Sequence, residues 1–355
     1  MAVAPCAPPS APPSVAQMDP NLTPITTAAG VFRGSPGGPG ASSEAARAFV
    51  EARLGRAVEL GRSIAEEVQD PGRLAAALRA ALVELADPAY LAGQQFVAPG
   101  IGTTLGVRSP LLSAVGRGFR SATHQDSPAT LLLAADRLLR EPELEARWFA
   151  FGILDATLAR DTERTWQLLR RAGRDAADWI TVDSLAHPVG RGVLAEPYRW
   201  AELEQLVYAP SRWERRLVGS TIATIPYINQ TAGRRPEVAV RGLELLAVLI
   251  GDDQPDVQKA LAWAYRSMAI VDRAATAAAL EREATLAAQT ADGYRAWVIR
   301  DALPKLDPAD AARIRASLEG IRRRPGGPST SVAATAAARF ADLALGQPLP
   351  EPPLT

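Results

Sequence analysis

The chain is poor in the residues that build redox, metal and membrane chemistry. Cys6 is its only cysteine, so no intrachain disulfide framework and no thiolate metal site can form within these 355 residues. Its two histidines, His124 and His187, are too few and too far apart in sequence to suggest a metal centre. No apolar run approaches membrane-spanning length. The N-terminus lacks a charged start followed by an apolar core, which argues against a signal peptide or a lipid anchor at Cys6 and makes a soluble cytoplasmic protein the expectation. Lysine is nearly absent, with Lys259 and Lys305 the only two, so almost every positive charge is an arginine, as a GC-rich coding sequence would produce. Formal net charge is zero. That excludes a uniformly basic surface, but arginines gathered on one face would still bind phosphate. No stretch alternates apolar and polar residues, so essentially no sheet is expected.

What the chain has in quantity is alanine and leucine. With 47% hydrophobic and only 6% aromatic residues, it reads as helices packed through small side chains. Residues 1 to about 40 are Pro, Ala, Ser and Gly with almost no charge, a composition that cannot offset its ordering entropy and is expected to be disordered. From Ser42 the pattern turns helical, with Ala46, Phe49, Val50, Leu54, Val58 and Leu60 at helical spacing, and a further helix runs from about Gly72 to Leu85. Helix starts then fall near Pro110, Pro128, Pro142, Thr162, Asp175, Ala201, Ser211, Pro236, Pro255, Ala274, Asp292, Pro308 and Ser331. Several carry proline in the first turn, where its missing donor costs nothing. Alternate starts recur at about 35 to 45 residues, the period of HEAT-like helical hairpins. Each hairpin leaves an apolar face that only a neighbour can bury, so the expected body is one all-α solenoid over residues 41–346 with a concave side, and a loose tail over 347–355. The loop 99–106 is rich in glycine, but no strand precedes it and its spacing fits neither nucleotide fingerprint, so it reads as an inter-helix connection. Arg322-Arg323-Arg324-Pro325-Gly326-Gly327-Pro328 interrupts the series near its end, before a last helix expected from Ser331 to Leu345.

The most informative stretch is Ala177-Asp178-Trp179-Ile180-Thr181-Val182-Asp183-Ser184-Leu185-Ala186-His187-Pro188. If helical, it stacks Trp179 and Asp183 on one face, with apolar residues around them, so Asp183 is expected to be partly desolvated. A carboxylate so placed needs a partner or a task. In the helix from Pro255, the buried stripe is Val257, Leu261, Ala264 and Met268, which leaves Trp263 outside it with Asp256, Lys259, Arg266 and Ser267. On pattern alone Trp263 is either an exposed stacking surface or a wedge between hairpins. In Ser211-Arg212-Trp213-Glu214-Arg215-Arg216-Leu217-Val218-Gly219-Ser220, Arg216 shares a face with Trp213 and Ser220 and is either a phosphate clamp or a solvated edge. His187 precedes Pro188, where a turn is expected, and reads as structural rather than catalytic.

Three stretches, Asp178-Trp179-Ile180-Thr181-Val182-Asp183, Trp213-Glu214-Arg215-Arg216 and Val257-Gln258-Lys259-Ala260-Leu261-Ala262-Trp263-Ala264-Tyr265-Arg266, resemble successive signatures of the AlkD-like DNA alkylation repair glycosylases. Gly106-Val107-Arg108-Ser109-Pro110-Leu111-Leu112 and Glu143-Leu144-Glu145-Ala146-Arg147-Trp148 resemble weaker stretches in the same order, and the likeness spans roughly residues 45 to 300. It implies a HEAT-like solenoid that holds duplex DNA in its concave groove and excises N3- or N7-alkylated purines as a monofunctional glycosylase, without metal or organic cofactor. Asp183 would then be the catalytic carboxylate, Trp179 and Trp263 would flank the damaged nucleotide, and Arg216 would engage a backbone phosphate. Arg215, Lys259 and Arg266 are further candidate DNA contacts. Arg234 and Arg235 in the linker 230–236 either join them or belong to a plain loop. Alkylation puts a positive charge on the purine, so the base leaves readily, and an ionised Asp has only to stabilise the sugar cation and position water. Bulky natural-product adducts are a variant substrate, and a non-catalytic HEAT scaffold binding DNA or protein is the rival from another class. A monomer is expected.

Overall fold

The computed structural model describes residues 40–98 and 100–340. The readings made above for the tail before Gly40, for the end of the last helix and for residues 347–355 lie outside them. Among the described residues there are helices and no strand, only an isolated bridge between Ala86 and Val107. The helices are α1 (Gly40–Glu51), α2 (Leu54–Glu66), α3 (Pro71–Glu84), α4 (Pro88–Val97), α5 (Ser109–Ala122), α6 (Pro128–Leu138), α7 (Leu144–Thr157), α8 (Thr162–Asp175) and α9 (Trp179–Ala195). They continue with α10 (Arg199–Val207), α11 (Arg212–Ile228), α12 (Pro236–Leu249), α13 (Pro255–Val271), α14 (Arg273–Thr290), α15 (Gly293–Ala302), α16 (Pro308–Ser317) and α17 (Val332–Phe340). A 3-10 turn, Leu303–Lys305, follows α15.

Two rows emerge from the packing. Helices α2, α5, α7, α9, α11, α13 and α15 touch in succession, and α3, α6, α8, α10, α12, α14 and α16 form a parallel outer row. Members of the first row from α5 onward start at residues 109, 144, 179, 212, 255 and 293, close to the repeat read from the sequence. The stripe Ala146, Phe149, Ala150, Ile153, Leu154 and Thr157 is buried, as are Val257, Leu261, Ala264 and Met268. This is the all-α helical-repeat solenoid that the apolar periodicity demands, with one continuous core running between the rows.

The first row packs much more closely than the second at α2 with α5 and at α11 with its neighbours. Small residues allow the approach. A Cβ on Gly118 of α5 would come 2.0 Å from the Val58 carbonyl oxygen of α2, and one on Gly61 would come 2.0 Å from the Val115 carbonyl oxygen.

Three local expectations fail for identifiable reasons. The helix expected through residues 46–60 breaks between α1 and α2, where Arg53 turns back to donate to the Phe49 carbonyl oxygen and lies 3.8 Å over the Phe49 ring. Helix α4 was not foreseen because it buries no residue and so has no apolar stripe, although Asp87, which caps it, and Pro88 in its first turn are signals that could have found it. The turn expected at Pro188 is absent. Helix α9 continues to Ala195, because Leu185, Ala186, Val189 and Val193 are buried on either side of the proline and packing outweighs the roughly 3 kcal/mol that an interior proline costs.

Gly118→Ala tests the close approach of α2 and α5. Alanine gains up to about 1 kcal/mol of helix propensity, but its methyl would meet a backbone carbonyl that cannot rotate away, and overpacking of that kind costs about 1–3 kcal/mol. A lowered thermal midpoint is expected, and a raised one would show the rows to be less tightly joined than described.

Candidate active site

The first turn of α9 is fixed before its functional residues are reached. Asp178 caps it, its carboxylate accepting the Thr181 backbone N–H at 2.8 Å and the Thr181 hydroxyl at 2.6 Å. The Trp148 indole of α7 donates to that same hydroxyl at 3.1 Å. Trp179 is therefore the first residue of a helix pinned from outside, half-buried, and Asp183 follows one turn later.

Asp183 is buried, with 9% of its surface open. Its Oδ1 accepts Arg216 Nε at 3.1 Å and Ser220 Oγ at 2.6 Å, and its Oδ2 accepts Arg216 Nη2 at 2.7 Å. Arg216 and Ser220 stand one turn apart on α11, the spacing that lets one helix grip a carboxylate from two sides. Arg216 Nη1 donates to the Asp256 carbonyl oxygen at 2.5 Å in the first turn of α13, and the guanidinium carbon lies 6.0 Å from the Trp179 ring centre. An ionised carboxylate offers about four acceptor sites and a guanidinium five donors. Among the described residues these bonds engage three on each, which leaves one carboxylate lone pair and two N–H groups for a ligand.

Trp263 sits two turns after Asp256, on the same face of α13, half-buried against the core. Lys259 is exposed one turn before it. Thus Trp179, Asp183 and Arg216 form one cluster, and Trp263 belongs to the next helix along. The desolvation foreseen for Asp183 is present. Its partner is Arg216, so that arginine is neither a solvated edge nor an open phosphate clamp; it is buried and first of all holds the carboxylate.

Among the other candidate contacts Arg215 is corrected, and the rest are located as follows. Arg215 is buried, with Nε 2.7 Å from Asp252 Oδ2 and Nη1 donating to the carbonyl oxygens of Ala209 and Pro210. It locks the turn before α11 onto the one before α13 and faces no surface. Burial pushes the Asp252 carboxyl up, against the pull of Arg215, so this pair is a costly structural joint. Arg266 donates to the backbone and carboxylate of Asp301, and Ser267 is buried rather than on the surface beside Trp263. Arg234 donates to the Pro226 carbonyl oxygen at 3.1 Å, while Asn229 Oδ1 accepts from Thr231 and Ala232; the linker is a built turn, with Arg235 exposed at its end. His187 lies 3.5 Å from Asp155, which also accepts from Arg191 at 2.8 Å, a structural role as expected. Burial raises the Asp155 carboxyl, but His187 and Arg191 more than reverse this and hold it below the usual range.

The glycine-rich loop is closed to nucleotide. Glu145 Oε1 accepts the backbone N–H groups of Leu105, Gly106 and Val107 at 3.0, 2.9 and 3.3 Å, so the donors that could cradle a phosphate hold a carboxylate of the chain itself. What sequence reasoning missed is the support of the site. Ser220 was placed beside Arg216 but not on Asp183, and the Trp148–Thr181–Asp178 link was not seen. The Asp-x-x-Thr spacing was the available signal for its lower half.

The family model described as DNA alkylation repair enzyme matches residues 78–306. The chain belongs to that family. Compared with curated proteins and with solved structures, it has no match. Membership makes it a DNA repair protein and covers every helix that carries the cluster; α1, α2, α16 and α17 lie outside the matched span. No helix among the described residues is long and apolar enough to cross a membrane.

Arg215→Ala separates support from contact. Removing it strands a buried carboxylate, for which a loss of about 3–5 kcal/mol in stability is expected by denaturant unfolding. Weaker DNA binding with unchanged stability would return Arg215 to the surface role.

Proposed function

We propose that the protein is a monofunctional DNA glycosylase that hydrolyses the N-glycosidic bond of N3- or N7-alkylated purines in duplex DNA, the first step of base excision repair. The observation that carries this reading is the Asp183–Arg216–Ser220 arrangement beside the half-buried Trp179, in a family of DNA alkylation repair enzymes. An alkylated purine is already cationic and needs no strong acid to leave. The sugar that remains carries a developing positive charge at C1′. A carboxylate paired with a guanidinium and fixed by three hydrogen bonds supplies an opposing charge without reorganising, which is the form of stabilisation worth most in a water-poor site. Its unfilled lone pair is the acceptor for the attacking water. Trp179 and Trp263 offer indole faces to the cationic base and sugar. The two unfilled N–H groups of Arg216 are donors for the phosphate beside the lesion, which joins positioning of the backbone to positioning of the carboxylate. The chemistry takes no metal or organic cofactor.

One observation favours a second reading, a repair scaffold that binds DNA without chemistry: Asp183 is nearly closed to solvent and already has a full partner. Release of alkylated purine from methylated duplex separates the two. Asp183→Asn keeps shape and removes charge, and a fall of about 10²–10³-fold in single-turnover release is expected. Because it also leaves Arg216 without its counter-charge, Ser220→Ala serves as the milder companion, removing one bond to Asp183 and leaving the ion pair. An intermediate fall is expected there, in the rate at saturating DNA rather than in affinity. Equal release by wild type and Asp183→Asn, or no release by the wild type, discards the glycosylase mechanism.

A further inference from the structure

The arginine triplet read in the sequence as an interruption is an ordered element. Arg323 donates to Gln258 Oε1 on α13 at 2.7 Å, and its guanidinium lies 5.0 Å from the Trp297 ring centre on α15. Gln258 is itself tied to the Asp252 carbonyl oxygen at 2.7 Å. The Arg324 carbonyl oxygen accepts the Tyr294 hydroxyl at 2.9 Å, and the Arg322 carbonyl oxygen is pressed so closely on Gly293 that a Cβ there would come within 2.2 Å. Downstream, Thr330 donates twice to Asp292 Oδ2, at 2.6 and 2.9 Å, and Ser331 donates to the Leu249 carbonyl oxygen at 3.0 Å. A loop anchored at this many points has its backbone held in place.

Its charge is not neutralised from within. Arg322, Arg323 and Arg324 are all exposed, and among the described residues neither Arg322 nor Arg324 makes a side-chain hydrogen bond or ion pair. Most other arginines here sit on a carboxylate. Arg300 is lowered from its ordinary value, by burial first and then by Arg322, so like charges crowd this corner. Exposed cations gathered on one anchored loop without a carboxylate raise the local positive potential and attract an external anion.

Position identifies the anion. The candidate active site occupies the N-terminal turns of α9, α11 and α13, and the arginine loop lies across the N-terminal turns of α13 and α15, one residue along the helix from exposed Lys259. Both therefore lie along one edge of the first row. At about 8–10 Å between helix axes, α11 to α15 spans about 20 Å, or about six base pairs of duplex.

We propose that Arg322 and Arg324 form a second DNA phosphate-contact point, on the α15 side of the Asp183 site and outside the family-matched span, with Arg323 as the strut that holds the loop. This rests on the reading that duplex DNA is the partner, and not on the glycosylase chemistry.

The test is the salt dependence of binding to an undamaged duplex, by fluorescence anisotropy from about 50 to about 200 mM salt, for wild type and Arg322→Ala/Arg324→Ala. Two lost phosphate contacts lower the slope of log K against log salt by about 1.8, so the wild type is expected to lose about tenfold more affinity across that range than the variant. Arg313→Ala, which removes an outer-row arginine paired with Glu281, is expected to leave the slope unchanged. Base release by the double variant at saturating methylated duplex should equal that of the wild type. An unchanged slope in the double variant, or an equal fall in Arg313→Ala, overturns the contact even if base release is intact. A lowered slope without base release by the wild type keeps the contact and removes the glycosylase reading. No duplex binding by the wild type removes both.

Discussion

A carboxylate and a guanidinium taken out of water together are the constraint on which this molecule turns. Each alone would cost several kcal/mol to bury, and only close geometry and further hydrogen bonds return that cost. Asp183 and Arg216 have both, through two mutual bonds, the Ser220 hydroxyl and the Asp256 carbonyl oxygen. The same contacts join α9 to α11 and α11 to α13, so the pair that would stabilise a sugar cation also sets the relative position of three successive repeats. Site and scaffold share their bonds, and a change in one alters the other.

The pattern recurs at other joints. Arg108 meets Asp87, Arg215 meets Asp252 and Arg295 meets Glu283, each pair reaching from one helix or turn to another. Glu145 closes the glycine-rich loop in the same way. A chain with 39 acidic and 39 basic residues thus uses much of its charge internally. The zero net charge hides the fact that some cations, Lys259, Arg235, Arg322 and Arg324 among them, stay exposed with no carboxylate partner among the described residues. For a protein that must hold a polyanion, the distribution of uncompensated arginines matters more than their number.

Much of the fold was legible because solenoids are built from local contacts. Proline at the first helical turn and apolar residues at helical spacing report directly on neighbours a few positions away, and hairpins at a steady period leave few other ways to bury their faces. The exceptions mark the limits of that signal. Helix α4 has no buried stripe to betray it, and Pro188 is carried through α9 by packing from residues distant in sequence. For the site, spacing alone put Trp179 beside Asp183 and Arg216 beside Ser220, since both are relations within one helix. The resemblance to a repair family supplied their grouping across helices and their roles, and the family match spans the helices that carry them.

By itself the sequence determined most of the helices, the repeat and which residues share a helical face, because these are fixed largely by interactions over a turn or two. Only the tertiary structure decided partners. Arg215 and Arg216 are adjacent in the chain and alike in chemistry, yet one closes on Asp252 and the other on Asp183, since successive side chains on a helix point about 100° apart and meet different neighbours. Which arginine is a strut and which can meet a phosphate depends on what stands opposite it, and that is a property of the stacked repeats.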